Sequence, residues 1–220
     1  GFGGGAVDLM GVMEAAGEAL LVEPYLATVG LGAQFVARAG SDAQKKAILP
    51  AVAEGKRRMA FAHTEKGARY NLSKVDAQAK KAGSGWEITG EKLAVLGAPA
   101  ADKFVVSANT EKGLSLFLAD PTSKGLTVRP YTILDEHRAG DVGFSRVACE
   151  RLGAEGILIG HRRHLAAAVP FLAGDGAGVA ADAGIEVDDQ PELLAARPSR
   201  QAGHAGSPRR RRLFGGASKA

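Results

Sequence analysis

The residues best placed to do chemistry lie together in Phe61-Ala62-His63-Thr64-Glu65-Lys66-Gly67-Ala68-Arg69. The segment runs from an apolar, strand-like stretch into a glycine-containing turn. A threonine at such a strand end presents a hydroxyl beside exposed backbone N–H groups, a combination that hydrogen-bonds the carbonyls and ring nitrogens of a heterocycle. The competing reading is a threonine that satisfies its own turn. Other chemistry-bearing groups are less complete. Gly1-Phe2-Gly3-Gly4-Gly5-Ala6 precedes a helical pattern, as a dinucleotide-binding loop would. No strand comes before it, however, and no acidic residue closes a second strand about 20 residues on. His161-Arg162-Arg163-His164 offers two imidazoles, but no Cys, Asp or Glu stands at a spacing that completes a metal site. The single cysteine, Cys149, excludes an intramolecular disulfide and reads as a partly buried apolar residue. No nucleophile elbow, P-loop or H-E-x-x-H occurs.

A strand end is useful only if the chain holds it in place. Three helical segments precede it. In Ala6–Leu21, the apolar residues Val7, Met10, Met13, Leu20 and Leu21 recur near a 3.6 spacing, and Pro24 then interrupts. Leu26–Ala39 carries Leu26, Val29, Ala33, Val36 and Ala37 on one stripe, and Gly40 stops it. Ser41 is the expected N-cap of a third helix, Asp42–Glu54, closed by Gly55, with Pro50 predicted to kink or shorten it. After Gly55 come strand-length runs at Met59–Thr64, Trp86–Thr89, Phe104–Ala108, Leu114–Asp120 and Leu126–Arg129, with Gly83-Ser84-Gly85 as a hairpin connection. Short strands in series with turn signals between them predict an antiparallel barrel or sandwich. The fold class is therefore α+β, an N-terminal α-helical segment followed by an antiparallel middle β-barrel domain. Residues 157–220, rich in Ala, Arg, Gly and Pro, hold no sustained period and read as a disordered or irregular tail.

The chain has 220 residues, 45% of them hydrophobic and 24% charged, enough for a core without disulfide staples. No apolar run reaches the roughly 18 residues of a membrane span. The net charge of +4 is uneven, because seven basic and no acidic residues follow from Arg197 onward. Arg209–Arg212 lack the aromatic interleaving of a nucleic-acid module, so the basic end reads as solvated and neither nucleic acid nor membrane is an expected partner.

Several motifs fall in the order of one family. Phe61-Ala-His-Thr-Glu-Lys-Gly-Ala-Arg resembles the acyl-CoA dehydrogenase motif, an aromatic followed by Thr-Glu-Pro and a Gly-rich turn. Gly83-Ser-Gly-Trp-Glu-Ile-Thr-Gly-Glu-Lys resembles that family's "G-x-G-W-x-x-x-G-x-K" hairpin. Ala101–Ala108, Gly113–Asp120 with Gly125, and Leu152-Gly-Ala-Glu-Gly156 resemble the strands and the ending of its middle domain. Gln44-Lys, Leu49-Pro and Glu54-Gly resemble its "QK…LP…G" helix. Glu23-Pro-Tyr-Leu-Ala-Thr-Val and Ala68-Arg-Tyr-Asn-Leu look like the small-subunit, pimeloyl-CoA dehydrogenase branch. The resemblance implies a division into residues 1–56 (part of a helical domain), 57–156 (a middle β-barrel domain) and 157–220 (an atypical tail). It also implies FAD as cofactor, an acyl-CoA thioester as substrate, and α,β-dehydrogenation in which a carboxylate base takes the α-proton and the flavin takes the β-hydride. Phe61, His63 and Thr64 then line the flavin, with Thr64 offering its hydroxyl and His63 mainly backbone. The implied partner is a dehydrogenase subunit, identical or different, and the implied location is the cytoplasm.

The departures bear on activity. Lys66 stands where the family has Pro, and Arg69-Tyr70-Asn71 where it has Gly-Ser-Asp. The family's Trp-x-Thr reads Ala94-Val95-Leu96, which supplies neither a stacking ring nor a hydroxyl. No residue matches the catalytic base, and Glu65, although inside the motif, inherits no catalytic role. Nothing after Gly156 resembles the family's C-terminal four-helix bundle or its Arg-Lys-Gln-Phe-Gly motif; the composition there fits a GC-rich gene read out of frame, with a natural divergent extension as the rival reading. The expectation is a truncated acyl-CoA dehydrogenase-like chain that is not competent alone, binds FAD weakly and exposes apolar surface, or else a non-catalytic partner subunit.

Overall fold

A computed structural model describes residues 5–68, 71–72 and 74–153. Gly1–Gly4, Arg69 and Tyr70, His161 and His164, Arg209–Arg212 and residues 157–220 as a whole lie outside the described residues.

The three expected helices form. Helix α1, Ala6–Glu18, starts where the Gly5 N–H donates to the Asp8 carboxylate at 2.7 Å. It ends three residues earlier than the apolar pattern, because Leu20 adopts a left-handed φ of 51°. It buries none of its residues; Val7 and Met10 are 69% and 60% exposed. The second segment begins as a π-helical stretch, Leu26–Gly32, and tightens into α2, Ala33–Ala39. Helix α3, Asp42–Ala53, carries the full capping box: the Gln44 N–H donates to Ser41 Oγ at 3.2 Å, and the Ser41 N–H to Gln44 Oε1 at 3.0 Å. Pro50 does not shorten it. The proline lies in the last turn, where the missing N–H removes a single bond, and the helix runs on to Ala53.

Seven strands follow: β1 Met59–Ala62, β2 Gln78–Ala82, β3 Gly85–Leu96, β4 Lys103–Thr110, β5 Gly113–Ala119, β6 Leu126–Thr132 and β7 Arg138–Arg151. They make one seven-stranded sheet in the order β1-β4-β2-β3-β7-β5, with β6 on β7 and β4 also paired to β5. The expected antiparallel barrel is corrected to a curled, mixed sheet that is not a closed barrel. β1 runs parallel to β4, with Phe61 opposite Val105. β2 meets β4 in parallel at a single pair, Gln78 opposite Asn109, which is a contact rather than an antiparallel seam. The parallel pairing arises because β1 enters from the helices and reaches β4 only after the β2–β3 hairpin intervenes.

β4 is buried on both faces. Phe104, Val106 and Ala108 join Ile88, Phe117, Val142, Phe144 and Val147 inside the curl. Val105, with Met59, Phe61, Leu116 and Leu118, faces Phe35, Val36, Ile48 and Val52 of the helices. Cys149 on β7 is half-buried, its Sγ 3.4 Å from the Trp86 carbonyl, and burial pushes its thiol up to about 12.

Two side chains dock the helices on the sheet. The Gln44 amide donates to Glu150 Oε1 at 2.6 Å and to the Arg151 carbonyl at 2.9 Å, and its Oε1 accepts from the Gly153 N–H at 2.9 Å. Thr28 Oγ1 takes both backbone groups of Met59, accepting from its N–H and donating to its carbonyl, each at 3.2 Å. This is possible because Gly32 faces Met59 closely: a Cβ there would lie 2.5 Å from the Met59 Cβ. Removing the Thr28 hydroxyl at constant volume leaves two buried backbone groups without partners, each worth about 1–3 kcal/mol. Thr28→Val is expected to lose about 2–6 kcal/mol on that basis, read as a shift in urea midpoint; a variant as stable as wild type would show that this bond does not hold the two layers together.

Candidate functional site

The end of β1 is the best-organised polar region of the described residues. β1 and β4 run in register, so the pairing that sets Ala62 opposite Val106 brings His63 beside Ser107 one step on. His63 is buried, with Nδ1 2.9 Å from Ser107 Oγ. Its ring stacks on Phe61 at a centroid distance of 5.2 Å, and Phe61 in turn contacts Phe35 at 4.2 Å.

Beneath this turn lies a lysine with no solvent exposure. Lys92 Nζ donates to Glu65 Oε1 at 2.5 Å, to Ser107 Oγ at 3.0 Å and to the His63 carbonyl at 3.2 Å. All three ammonium hydrogens are thereby used. Glu65 also accepts from the backbone of Asp76 at 2.5 Å and of Ala77 at 3.1 Å. Gly90 permits this approach, since a Cβ there would lie 2.6 Å from the Ala77 Cβ. Burial pushes the Glu65 carboxyl up, but the Lys92 ammonium and the two backbone N–H groups outweigh it and hold the carboxyl below its ordinary range. Burial draws Lys92 below its ordinary value, against the pull of Glu65.

Ser107 accepts from Lys92 and His63 also hydrogen-bonds the Leu72 backbone; on that network we assign the Ser107 O–H as donor to His63 Nδ1 and the imidazole proton to Nε2. Burial, reinforced by the nearby ammonium, draws the imidazole down to about 4. His63 is thus neutral at physiological pH and fully engaged inside the fold. Glu65, locked to Lys92, is not free to abstract a proton.

Thr64 sits between these two buried side chains and is itself exposed. Its carbonyl accepts from the Leu93 N–H at 2.7 Å. Its hydroxyl has no hydrogen bond among the described residues. Of the three residues expected to line a ligand, Thr64 presents a side chain to solvent, while Phe61 and His63 are 7% and 6% exposed and form its support.

A second polar cluster sits on β3. Ala94 has a left-handed φ of 52° within a shift of the β3–β7 register, and its N–H donates to Asp141 Oδ1 at 3.1 Å. Asp141 also accepts from the Tyr131 hydroxyl at 2.8 Å and pairs with Arg129. Burial raises the Asp141 carboxyl, but the Ala94 N–H, Tyr131 and Arg129 together hold it below the ordinary range. Two residues further, Leu96 lines a cleft of about 480 Å³ with Pro24, Leu26, Gly97 and His137. Among the described residues, no group of three His, Cys, Asp or Glu side chains is arranged to hold a metal ion.

Sequence reasoning singled out Thr64, whose side chain is exposed, and quoted Lys92 only as the last residue of the hairpin motif; it did not single out Ser107 or Asp141. The burial of Lys92 left a further signal: Ile88, Gly90 and Lys92 share one face at the strand period, and that face is the buried one.

Residues 60–147 match the family model described as the acyl-CoA dehydrogenase middle domain. Over that segment the chain is similar to the middle domain of acyl-CoA dehydrogenases. Acyl-CoA dehydrogenase FadE12 of Mycobacterium tuberculosis is 34% identical over 139 residues, covering 59% of this chain and 35% of FadE12. Among solved structures, a glutaryl-CoA dehydrogenase from Mycobacterium smegmatis in complex with FADH2 superimposes with a TM-score of 0.55 at 26% identity, over 58% of this chain and 35% of that one. The Tcur3481-Tcur3483 steroid ACAD gives a TM-score of 0.52 at 28% identity, over 64% and 35%. The chain spans about a third of the length of these relatives.

The depressed His63 value sets a pH window. In the unfolded chain His63 takes its proton near 6.5, in the folded chain near 4, so acid favours unfolding between these values and not above them. The cost is expected to approach about 2–3 kcal/mol by the lower end. His63→Asn, whose Oδ1 still accepts from Ser107, removes the titration. Its urea midpoint should be lower than wild type at pH 7 yet fall less between pH 6.5 and 4; parallel pH profiles would refute the buried neutral imidazole.

Proposed function

We propose that residues 57–153 form the middle-domain wall of an acyl-CoA dehydrogenase's FAD site, with Thr64 as the contact to the flavin edge and Phe61 and His63 as the residues that carry it. The observation that supports this most is the exposed Thr64 at a strand end whose two neighbours are buried and clamped, within a segment that matches the middle domain. The fit to FAD is partial. A free hydroxyl and strand-end backbone suit the polar edge of a flavin ring, but Ala94 and Leu96 offer no stacking ring and no second hydroxyl. When bound, FAD supplies the hydride acceptor for α,β-dehydrogenation of an acyl-CoA thioester. This chain's own part is to orient the ring through Thr64 and to give an apolar wall at Leu96, in the cleft with Pro24 and Leu26.

Competence of the chain alone is not part of the proposal. Glu65 is committed to Lys92, and no described residue takes the role of the carboxylate base. A dehydrogenase subunit, identical or different, completes the site; the paired naming of the Tcur3481-Tcur3483 steroid ACAD supports a second polypeptide as that partner. The same losses at Ala94 and Leu96 favour a second reading, a non-catalytic subunit of such a complex. The motifs at Glu23–Val29 and Ala68–Leu72 favour the pimeloyl-CoA, small-subunit type. Among the described residues no helix is long and apolar enough to cross a membrane; a cytoplasmic setting suits the proposed chemistry.

FAD titration followed by flavin fluorescence tests the reading. Binding is expected to be weak, and Thr64→Val, which keeps volume and removes one neutral hydrogen bond worth about 0.5–1.5 kcal/mol, should weaken it roughly two- to twelve-fold. Tight wild-type binding would mean the site is complete despite Ala94 and Leu96. Equal affinities in both proteins would remove Thr64 from the flavin, and a colourless chain that takes up no FAD would favour the non-catalytic subunit.

A further inference from the structure

Lys92 is the most deeply buried charge among the described residues, and the flavin reading leaves it without a part. We propose that Lys92 is a positioning residue: one ammonium grips the chain on both sides of Thr64 and so fixes the direction in which Thr64 meets a flavin edge. The inference rests on the proposed flavin contact, but its physical content is the ordering of Thr64 itself.

The geometry is specific to that residue. Lys92 Nζ holds the carbonyl of the residue before Thr64, at 3.2 Å, and the carboxylate of the residue after it, at 2.5 Å. The carbonyl of Thr64 is bound by the N–H of the residue that follows Lys92, at 2.7 Å. Three consecutive residues, 63 to 65, are therefore tied to two, Lys92 and Leu93. The third ammonium hydrogen goes to Ser107, whose hydroxyl turns its proton on His63. Every group facing the ammonium is thus assigned: Glu65 from the turn, His63 from the end of β1 and Ser107 from β4, with the Asp76 carboxylate acting at longer range.

Stability alone does not explain the arrangement. A buried ion pair is often no better than well-packed apolar residues of the same volume. Its advantage is directional, because an ammonium with three fixed acceptors has one orientation and so has the backbone that supplies them. An exposed threonine normally samples its rotamers on the ps–ns scale. Clamping the backbone on both sides restricts Thr64 while leaving its hydroxyl open to a ligand.

The test uses the full 220-residue chain, with Glu65→Gln and the paired variant Lys92→Met/Glu65→Gln. The paired variant removes both charges together and leaves no orphaned carboxylate. Methyl NMR, with the three-bond couplings that report χ1, reads the Thr64 side chain directly, and FAD titration reads its use. Wild type should hold one Thr64 rotamer. In the paired variant Thr64 should average between rotamers while the Thr28 and Thr132 methyls stay as they were, and FAD affinity should fall about tenfold. Adding Thr64→Val to that variant should then cost less than about twofold, because the hydroxyl is no longer aimed. A merely structural lysine would not abolish that coupling. A single Thr64 rotamer with unchanged FAD affinity in the paired variant overturns the proposal. If wild type takes up no FAD, the flavin contact is wrong and the NMR comparison alone decides the positioning role. If the paired variant does not fold, Glu65→Gln, which keeps the ammonium and weakens one of its three bonds, decides by the same NMR comparison: averaging at Thr64 supports the role, and a fixed rotamer overturns it.

Discussion

A positive charge with no access to water has to find acceptors, and the architecture around Lys92 follows from that demand. An isolated ammonium in an apolar interior is prohibitively costly. The turn after β1, the hydroxyl of Ser107 on β4 and the loop at Asp76 and Ala77 all converge on this point. The convergence explains why β1 lies beside β4 and why the segment leading into β2 returns to the same place. It also explains the close pass of Gly90 over Ala77, where any side chain would force the strands apart.

The helices answer a different demand. β1, β4 and β5 are buried on both faces, and the outer face they share needs a cover. Phe35, Val36 and Ile48 provide it over Val105, Leu116 and Leu118. The alternation along β1 follows the same division: Ala60 and Ala62 are small and face the crowded interior of the curl, while Met59 and Phe61 reach out to the helices. Phe61 therefore does structural work within the very motif that presents Thr64. Aromatic contact from Phe35 through Phe61 to His63 continues the helix–sheet interface up to the site.

How much of this was legible depended on where each signal resides. Ser41 with Gln44, Gly40 and Gly55 are local signals, and α2 and α3 stand where they place them. β2 and β7 were not visible. Gln78-Ala-Lys-Lys-Ala has only Ala79 on a buried face, and Arg138–Arg151 is broken by two glycines and several charges. Their strand character comes from the partners they pair with, which no local pattern records. The parallel β1–β4 pairing joins segments about forty residues apart and has no local signature either. At the site, the exposed Thr64 was legible because strand-then-glycine is a sequence pattern. Lys92 was legible as the last residue of the hairpin motif, but its burial was not, since a lysine in a hairpin ordinarily points into solvent. Asp141 was hidden for the same reason: only the fold brings Arg129, Tyr131 and the Ala94 N–H around it.

The chain's single cysteine has a chemical consequence. Thiol chemistry runs through the thiolate, and Cys149, with its thiol pushed up to about 12, holds almost none at neutral pH. Half-covered on β7 and leaning on the Trp86 carbonyl, it is a slow nucleophile towards peroxide, alkylating reagents and disulfides alike. The native thiol is in effect silent, so a cysteine introduced at an exposed position would react with thiol reagents ahead of it.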